Sequence, residues 1–308
     1  MNKYVITGGA GFIGSHIAEL ISSQGSEVIV VDNLRTGFIQ NITNLDVDFV
    51  EGDIRDKKLM LDLAKGAKGI FHLAALVSVP ESLKRIDECL QINVEGTLNV
   101  LDAARQTPNC KVVLSSSAAI YGNNPKLPKV ECMLPEPLTP YAVTKLDGEF
   151  YLKMYSEQWK VPSASLRYFN VFGPKQDPNS TYAAAVPIFI KKALLNKPIV
   201  IYGDGQQTRD FIYVKDVVSA NLFAMDKGAE VYNVALGHST SILELAKRIV
   251  SITGSKSRIT FEPEREGDVK HSQADVSKFQ SLGFVSKYDL NSALEETILF
   301  YEQELSKK

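Results

Sequence analysis

The sequence predicts an α/β fold, a doubly wound parallel sheet with a smaller, partly interleaved α/β unit attached. Three observations carry this expectation. A glycine loop, Thr7-Gly8-Gly9-Ala10-Gly11-Phe12-Ile13-Gly14, stands between the apolar run Tyr4-Val5-Ile6 and the helical run that begins Ser15-His16-Ile17. Strand-like and helix-like segments then alternate as far as Phe169, which is the rhythm of parallel strands joined by crossover helices. Beyond it, Asn170-Val171-Phe172-Gly173-Pro174 opens a less regular half with isolated Pro and Gly and no internal repeat.

Taken in order, Lys3–Thr7 is the first strand and a helix runs from Ile13. Gly9-x-Gly11-x-x-Gly14 between them fits a dinucleotide fingerprint, with glycines for the tight turn, the approach of a pyrophosphate and close helix–strand packing. The helix N-terminus then faces the phosphates. The second strand, Glu27–Val31, ends in Asp32, 18 positions after Gly14 and close to the roughly 20 that the fingerprint expects. A carboxylate there suits a free ribose 2′-hydroxyl, so NAD is expected rather than NADP. Strands Val47–Val50 and Gly69–Leu73, a long helix near Asn93–Gln106, strand Lys111–Ser115, a helix from Tyr141 and strand Ala164–Phe169 complete the alternation.

Ligands of such sheets lie beyond the carboxyl ends of the strands. Those ends read Glu51-Gly52-Asp53-Ile54, His72-Leu73-Ala74-Ala75 and Ser115-Ser116-Ser117-Ala118-Ala119-Ile120-Tyr121-Gly122, each small or polar where a cofactor would lie. Val231–Ala235 reads as a strand able to return to the first sheet. The expected division is therefore 1–170, with a return near 210–240, and 171–308. Ser241-x-x-Glu244 signals a capped helix that stops before Gly254, and Asp289 caps a final one.

Composition narrows the function. The 308 residues carry a formal net charge of -2, so there is no electrostatic footprint for nucleic acid or an anionic membrane. No apolar run reaches the ~18 residues of a membrane span, and Met1-Asn2-Lys3 leads into the first strand without a signal-peptide pattern. A cytoplasmic protein is expected. Cys89, Cys110 and Cys132 lack Cys-x-x-Cys spacing, and His16, His72, His238 and His271 are scattered, so neither a disulfide framework nor a metal site is expected. There is no Gly-x-Ser-x-Gly elbow, and Ser15-His16 after the loop replaces the Lys-Ser/Thr of a phosphate-binding P-loop.

The helix from Tyr141 has clear start signals. Thr139 can cap it, Pro140 fits its first position, and Leu138 with Val143 has the spacing of a hydrophobic staple. Lys145 lies four residues after Tyr141, so the two side chains share one face. A free tyrosine ionises near pH ~10, and an adjacent ammonium, a helix N-terminus and an oxidised nicotinamide all favour its phenolate. That pairing makes a usable base near neutrality.

The glycine loop, Ser117 and Tyr141-x-x-x-Lys145 resemble the extended short-chain dehydrogenase/reductase family, whose first domain is a Rossmann sheet. Ser115–Gly122, Leu166-Arg167-Tyr168-Phe169-Asn170 and Arg209-Asp210-Phe211-Ile212-Tyr213-Val214 resemble its nucleotide-sugar 4-epimerases. The resemblance implies Ser117, Tyr141 and Lys145 as the catalytic set. Around NAD it implies Gly8, Gly11, Phe12, Ile13, Asp32, Asn33, Asp53, Ile54, Leu73, Ala74, Ala75, Asn93 and Tyr168, together with Tyr141 and Lys145. On the substrate side it implies Asn170, Arg209 and Arg265 at a diphosphate, Tyr202 by a uracil, Asp268 at the uridine ribose, and Ser117, Val186 and Ser272 by the sugar. From composition alone Arg209 and Arg265 read as solvated charges.

The activity so implied is NAD-dependent interconversion of gluco and galacto UDP-sugars through a 4-keto intermediate. Ser272 is small, no Pro follows Asn170, and Tyr182-Ala183-Ala184-Ala185-Val186-Pro187 keeps a pocket wall small, features similar to enzymes that accept N-acetylhexosamines. UDP-N-acetylglucosamine and its galacto epimer are therefore expected beside UDP-glucose and UDP-galactose. Related 4,6-dehydratases and decarboxylases carry an acidic residue in the serine segment, and Ser115-Ser116-Ser117-Ala118 has none. A non-catalytic NAD-binding regulator would lack the Tyr–Lys pair, which this chain keeps. The resemblance also implies a homodimer through the helices near Asn93–Gln106 and Tyr141–Gln158, where Val94, Leu98, Leu101 and Ala104, like Leu146, Phe150 and Met154, recur at helical spacing.

Overall fold

A computed structural model describes residues 2–179, 184–264 and 269–307. Its strands are β1 (Lys3–Thr7), β2 (Glu27–Asp32), β3 (Asp48–Glu51), β4 (Gly69–His72), β5 (Lys111–Ser117) and β6 (Ser163–Tyr168), then β7 (Asn170–Phe172), β8 (Ile199–Tyr202), β9 (Thr208–Tyr213), β10 (Val231–Val234), β11 (Ser239–Ser241) and β12 (Ile259–Glu262). Among the described residues seven of them form one sheet in the order β10-β6-β5-β4-β1-β2-β3. Every pair in it is parallel. The chain winds one way from β1 to β3 and the other way from β4, so the order reverses between β1 and β4. Thr7 lies opposite His72 there, and a crevice opens beyond their carboxyl ends.

Alternate residues of each strand point to opposite faces, and crossover helices cover both. Ile6, Val30, Phe71 and Val113 pack on one face against Ile17 and Ile21 of the helix Phe12–Ser23 and Val217 and Ala224 of the helix Val214–Lys227. Val5, Val31, Ile70 and Leu114 pack on the other against Met60, Val100, Leu101, Ala104 and Leu152. Full burial of each of these side chains larger than alanine contributes about 1.5–3 kcal/mol, and together these contacts hold the strand ends that carry the site. Leu101 and Ala104 are thus core residues, and their helical spacing reflects packing on the sheet rather than an outer face.

A third core, with Phe172, Ile190, Phe211, Leu245 and Leu294, lies among two small sheets. One has the order β11-β9-β7 and the other pairs β12 with β8. β10 follows β9 in the chain yet lies beside β6, with Val234 opposite Tyr168. Ser241 accepts from the Glu244 N–H at 3.1 Å, and Asp289 accepts from Asn291 and Ser292 N–H groups. Both caps read from the sequence are present.

Some local expectations are corrected. The helical run before β5 begins at Ile86, and a π turn, Gln91–Glu95, precedes the regular helix Gly96–Arg105. β6 stops at Tyr168. Thr139 caps the helix Pro140–Trp159 by accepting from the Ala142 N–H at 3.3 Å, but Leu138 and Val143 are 60% and 40% exposed and form no buried staple. Cys89 and Cys110 are buried, whereas Cys132 is exposed. Among the described residues no helix is long and apolar enough to cross a membrane.

Candidate active site

The crevice is floored by the glycine loop. Gly8 has φ +69°, and a Cβ on it would stand 2.8 Å from the Ala74 nitrogen, so β1 and β4 can meet only through glycine. A Cβ on Gly14 would stand 2.7 Å from the Gly9 Cα, which is the close helix–strand packing that the spacing requires. Gly11 precedes the helix Phe12–Ser23 and offers no capping side chain, leaving the first-turn amides of Phe12 and Ile13 at an anion-binding end. Asp32, 8% exposed at the end of β2, accepts from the Ala10 N–H at 3.0 Å and the Leu34 N–H at 2.9 Å. A cradle that side chains would fill, an open helix end and a carboxylate at the second strand fit a dinucleotide with a free ribose hydroxyl.

Of the other residues expected around NAD, Asn33, Asp53, Ile54, Leu73, Ala74, Ala75 and Tyr168 stand at or just beyond the ends of β2, β3, β4 and β6. Leu73 and Ala74 donate their N–H groups to Thr7 Oγ1, both at 3.2 Å. Ile54 packs in the second core, and Asn33 donates to Asp53 at 3.1 Å. Arg55 grips the same Asp53 through Nε and Nη2, and holds its carboxyl down at about 2. Ala75 is half-buried. Asn93 sits in the π turn, accepting from the Leu76 N–H at 2.7 Å and donating to the Thr144 hydroxyl at 3.0 Å. Tyr168 ends β6, its hydroxyl donating to Asn221 Oδ1 at 2.9 Å.

Thr7 and His72 are joined beneath this floor by a contact that the sequence does not show. Thr7 Oγ1 already accepts two amides, so its one proton goes to His72 Nδ1 at 2.8 Å. The imidazole therefore carries its proton on Nε2 and donates to Thr97 Oγ1 at 2.9 Å, and Thr97 donates to the Asn93 carbonyl at 2.6 Å. Burial pushes His72 down to about 3, which keeps it neutral in this role. The sequence shows His72 at a strand end, but no spacing connects it to Thr97.

Ser117, Tyr141 and Lys145 come together at the carboxyl end of β5. Lys145 Nζ donates to the Ser115 carbonyl at 2.7 Å and lies 5.9 Å from the Tyr141 ring centre. Burial lowers the ammonium to about 8 because the charged form is poorly solvated there. Burial pushes the Tyr141 phenol up, while hydrogen bonding with Ser117 pulls it down. The Ser117 hydroxyl also accepts from the Ala119 N–H at 3.1 Å, which fixes its direction. A half-buried phenol beside a hydroxyl and an ammonium can exchange a proton with a substrate oxygen.

On the opposite side, Asn170 in β7 lies across from Phe211 of β9. Arg209 precedes Phe211 by two residues and donates to the Thr208 carbonyl at 2.9 Å. The Ser272 N–H donates to that carbonyl at 3.1 Å, so Asn170, Arg209 and Ser272 belong to one small sheet and its edge. Tyr202 ends β8. Val186 is 1% exposed as a whole residue and packs in the third core, so the sugar-side place expected for it is corrected to a core position. Arg265 and Asp268, and with them Tyr182 and Ala183 of the pocket wall, lie outside the described residues.

A pair missed in sequence reading, Glu149 and Arg167, lies directly behind the serine segment at 2.7 Å. The available signal was a lone charged residue in a strand that is otherwise uncharged, since a buried charge demands a partner.

Comparison with known proteins agrees with this geometry. Residues 4–235 match the model of the NAD dependent epimerase/dehydratase family. A putative UDP-glucose 4-epimerase of Methanocaldococcus jannaschii is 40% identical over 296 residues, covering 96% of each chain. The UDP-N-acetylglucosamine 4-epimerase of Methanobrevibacter ruminantium, solved with UDP-N-acetylmuramic acid, is 39% identical with a TM-score of 0.94 over 98% of this chain and 99% of that one. The UDP-glucose 4-epimerase of Thermus thermophilus, solved with NAD, is 33% identical with a TM-score of 0.90 over 97% and 99%. With the doubly wound sheet and the glycine cradle, these likenesses make the chain a member of the NAD-dependent epimerase/dehydratase family, with NAD as its cofactor.

Proposed function

We propose that the chain is a UDP-sugar 4-epimerase that interconverts UDP-N-acetylglucosamine with its galacto epimer and UDP-glucose with UDP-galactose. The observation that carries this reading is the convergence of Ser117, Tyr141 and Lys145 at the end of β5, two strands from the glycine cradle. The similar chains named as UDP-glucose and UDP-N-acetylglucosamine 4-epimerases support it.

Tyr141 takes the proton of the sugar 4-hydroxyl and later returns it, and Ser117 hydrogen-bonds the same oxygen. Lys145 holds positive charge beside the phenol and keeps its helix fixed to Ser115. Held in the cradle, NAD would supply a reversible hydride acceptor for C4 and a positive charge that favours the phenolate. Gly8, Gly11, Phe12 and Ile13 would take its pyrophosphate, Asp32 and Asn33 a ribose, Asp53 and Ile54 the adenine end, and Leu73, Ala74, Ala75, Asn93 and Tyr168 the remainder. Asn170, Arg209 and Arg265 would clamp the diphosphate, Tyr202 and Asp268 the uridine, and Ser272 would border the sugar. A clamp on the nucleotide leaves the hexose free to present either face.

The serine segment supplies no carboxyl group for loss of water from C6, which weighs against a dehydratase. The test is product analysis of purified protein incubated separately with UDP-glucose and UDP-N-acetylglucosamine. Conversion to the galacto epimers is expected. A product that has lost water, or no product at all, overturns the reading.

The functional unit in this proposal is a homodimer. Val143, Phe150 and Met154 on the helix Pro140–Trp159 are exposed together with Ile86 and Leu90 on the helix Ile86–Leu90 that packs beside it. A contiguous apolar face of that kind calls for a partner, and a second copy would bury it in a four-helix arrangement.

A further inference from the structure

Arg167 stands in β6, a strand buried along its whole length, and Glu149 stands two turns beyond Tyr141 on the helix Pro140–Trp159. The pair is 5% and 4% exposed and bidentate, with Nε to Oε1 at 2.9 Å and Nη2 to Oε2 at 2.7 Å. The same carboxylate accepts from the Ser116 hydroxyl at 2.5 Å. Desolvation offsets most of the attraction in such a pair, and apolar side chains of equal volume stabilise a fold as well or better. Stability alone is a poor account of it.

Geometry gives a better one. Tyr141, Lys145 and Glu149 follow at intervals of four on one helix face, and they engage Ser117, the Ser115 carbonyl and Ser116 respectively. Beyond Arg167 the network continues. Nη1 donates to the Tyr121 hydroxyl at 2.9 Å, Tyr121 donates to Asn233 Oδ1 at 2.6 Å, and Asn233 Nδ2 donates to the Lys129 and Asp275 carbonyls at 2.9 and 3.1 Å. Asp275 is three residues past Ser272.

We infer that Glu149 and Arg167 are positioning residues, which hold Ser117 and the Lys145 anchor in register with Tyr141 and tie that register to the Ser272–Asp275 segment. The inference rests on the epimerase reading for its activity arm only. A slip of the strand end against the helix by a fraction of a residue would move Ser117 off the phenol, and misplacement of about 1 Å costs on the order of a hundredfold in rate.

Glu149→Leu combined with Arg167→Met removes both charges without stranding one, and Ser116→Ala removes a single hydrogen bond. Each holoprotein is compared with the parent for NAD content, thermal unfolding, kcat, KM and the pH at which Tyr141 ionises, read as difference absorbance against Tyr141→Phe. The double variant is expected to fold and keep NAD, to lose about a hundredfold in kcat with little change in KM, and to ionise Tyr141 at higher pH. Ser116→Ala is expected to lose about fivefold in kcat with a shift of the same sign. A folded double variant with parental kcat and parental ionisation overturns the inference. Should the double variant not fold, parental kcat and ionisation in Ser116→Ala overturn it. A parent that does not epimerise refutes the activity reading, and the ionisation of Tyr141 still decides this one.

Discussion

The Lys145 ammonium lies 2.7 Å from the Ser115 carbonyl, and this hydrogen bond is among those that join the helix carrying Tyr141 to the strand carrying Ser117. Burial holds that ammonium at about 8, well under its ordinary 10.5. Its charge is complete below that pH and is lost above it. Activity that depends on the charge should fall as pH rises past about 8. Lys145→Met removes the charge at every pH, and kcat near pH 7 is expected to drop at least about a hundredfold. The alkaline fall should vanish, because nothing at that position is left to titrate. A pH series of kcat for parent and variant measures both, and matching profiles would contradict the role.

Much of this was legible in the sequence, for identifiable reasons. The glycine loop, Asp32 and Tyr141-x-x-x-Lys145 are read from spacing, because each is a local arrangement on one strand–turn–helix or one helix face. The helix caps Thr139, Ser241 and Asp289 are local too. What escaped is non-local. Glu149 and Arg167 meet only because helix and strand pack side by side, and Thr7, His72 and Thr97 align only through the register of β1 with β4. The π turn Gln91–Glu95 left no periodic signal. Helical spacing at Leu101 and Ala104 was real, but spacing alone does not say which side of a helix faces the sheet.

Ser272 is half-buried on the edge of β9, where the proposed sugar would lie. Ser272→Tyr should close the space for an acetamido group, since overpacking costs about 1–3 kcal/mol or more. Turnover of the two N-acetylated sugars should fall far more than turnover of UDP-glucose and UDP-galactose. Steady-state kinetics on both pairs decides, and equal losses or none would remove Ser272 from the sugar site.

His72 is pushed down to about 3 in the fold from its ordinary 6.5. Between those values the unfolded chain binds a proton that the native one refuses, so this contribution is complete above about pH 6.5 and is lost as pH falls. By pH 5 the loss amounts to about 2 kcal/mol. His72→Asn should be less stable than the parent at pH 7, and the gap should narrow by that order at pH 5. Denaturant unfolding at the two pH values measures the difference, in which other titrating groups such as Asp210 cancel. A gap independent of pH would mean that His72 is not held neutral.

Phe150 is 60% exposed on the face proposed to meet a second copy. Phe150→Asp places a charge there and should convert a dimeric mass into a monomeric one by light scattering at micromolar concentration. Thermal unfolding of the monomer should remain cooperative, because the side chain leaves no core contact behind. A parent that is monomeric under the same conditions would contradict the dimer.

The claim at the centre is that Tyr141 carries the proton in epimerisation at C4. The most direct measurement compares the parent with Tyr141→Phe on UDP-N-acetylglucosamine, with the NAD content of each preparation determined alongside. The phenylalanine keeps the ring and removes only the hydroxyl. The parent is expected to form the galacto epimer, and the variant to keep its NAD while losing at least about a hundredfold in rate, within the range typical of a general acid–base group. A variant that epimerises at nearly the parental rate would contradict the claim.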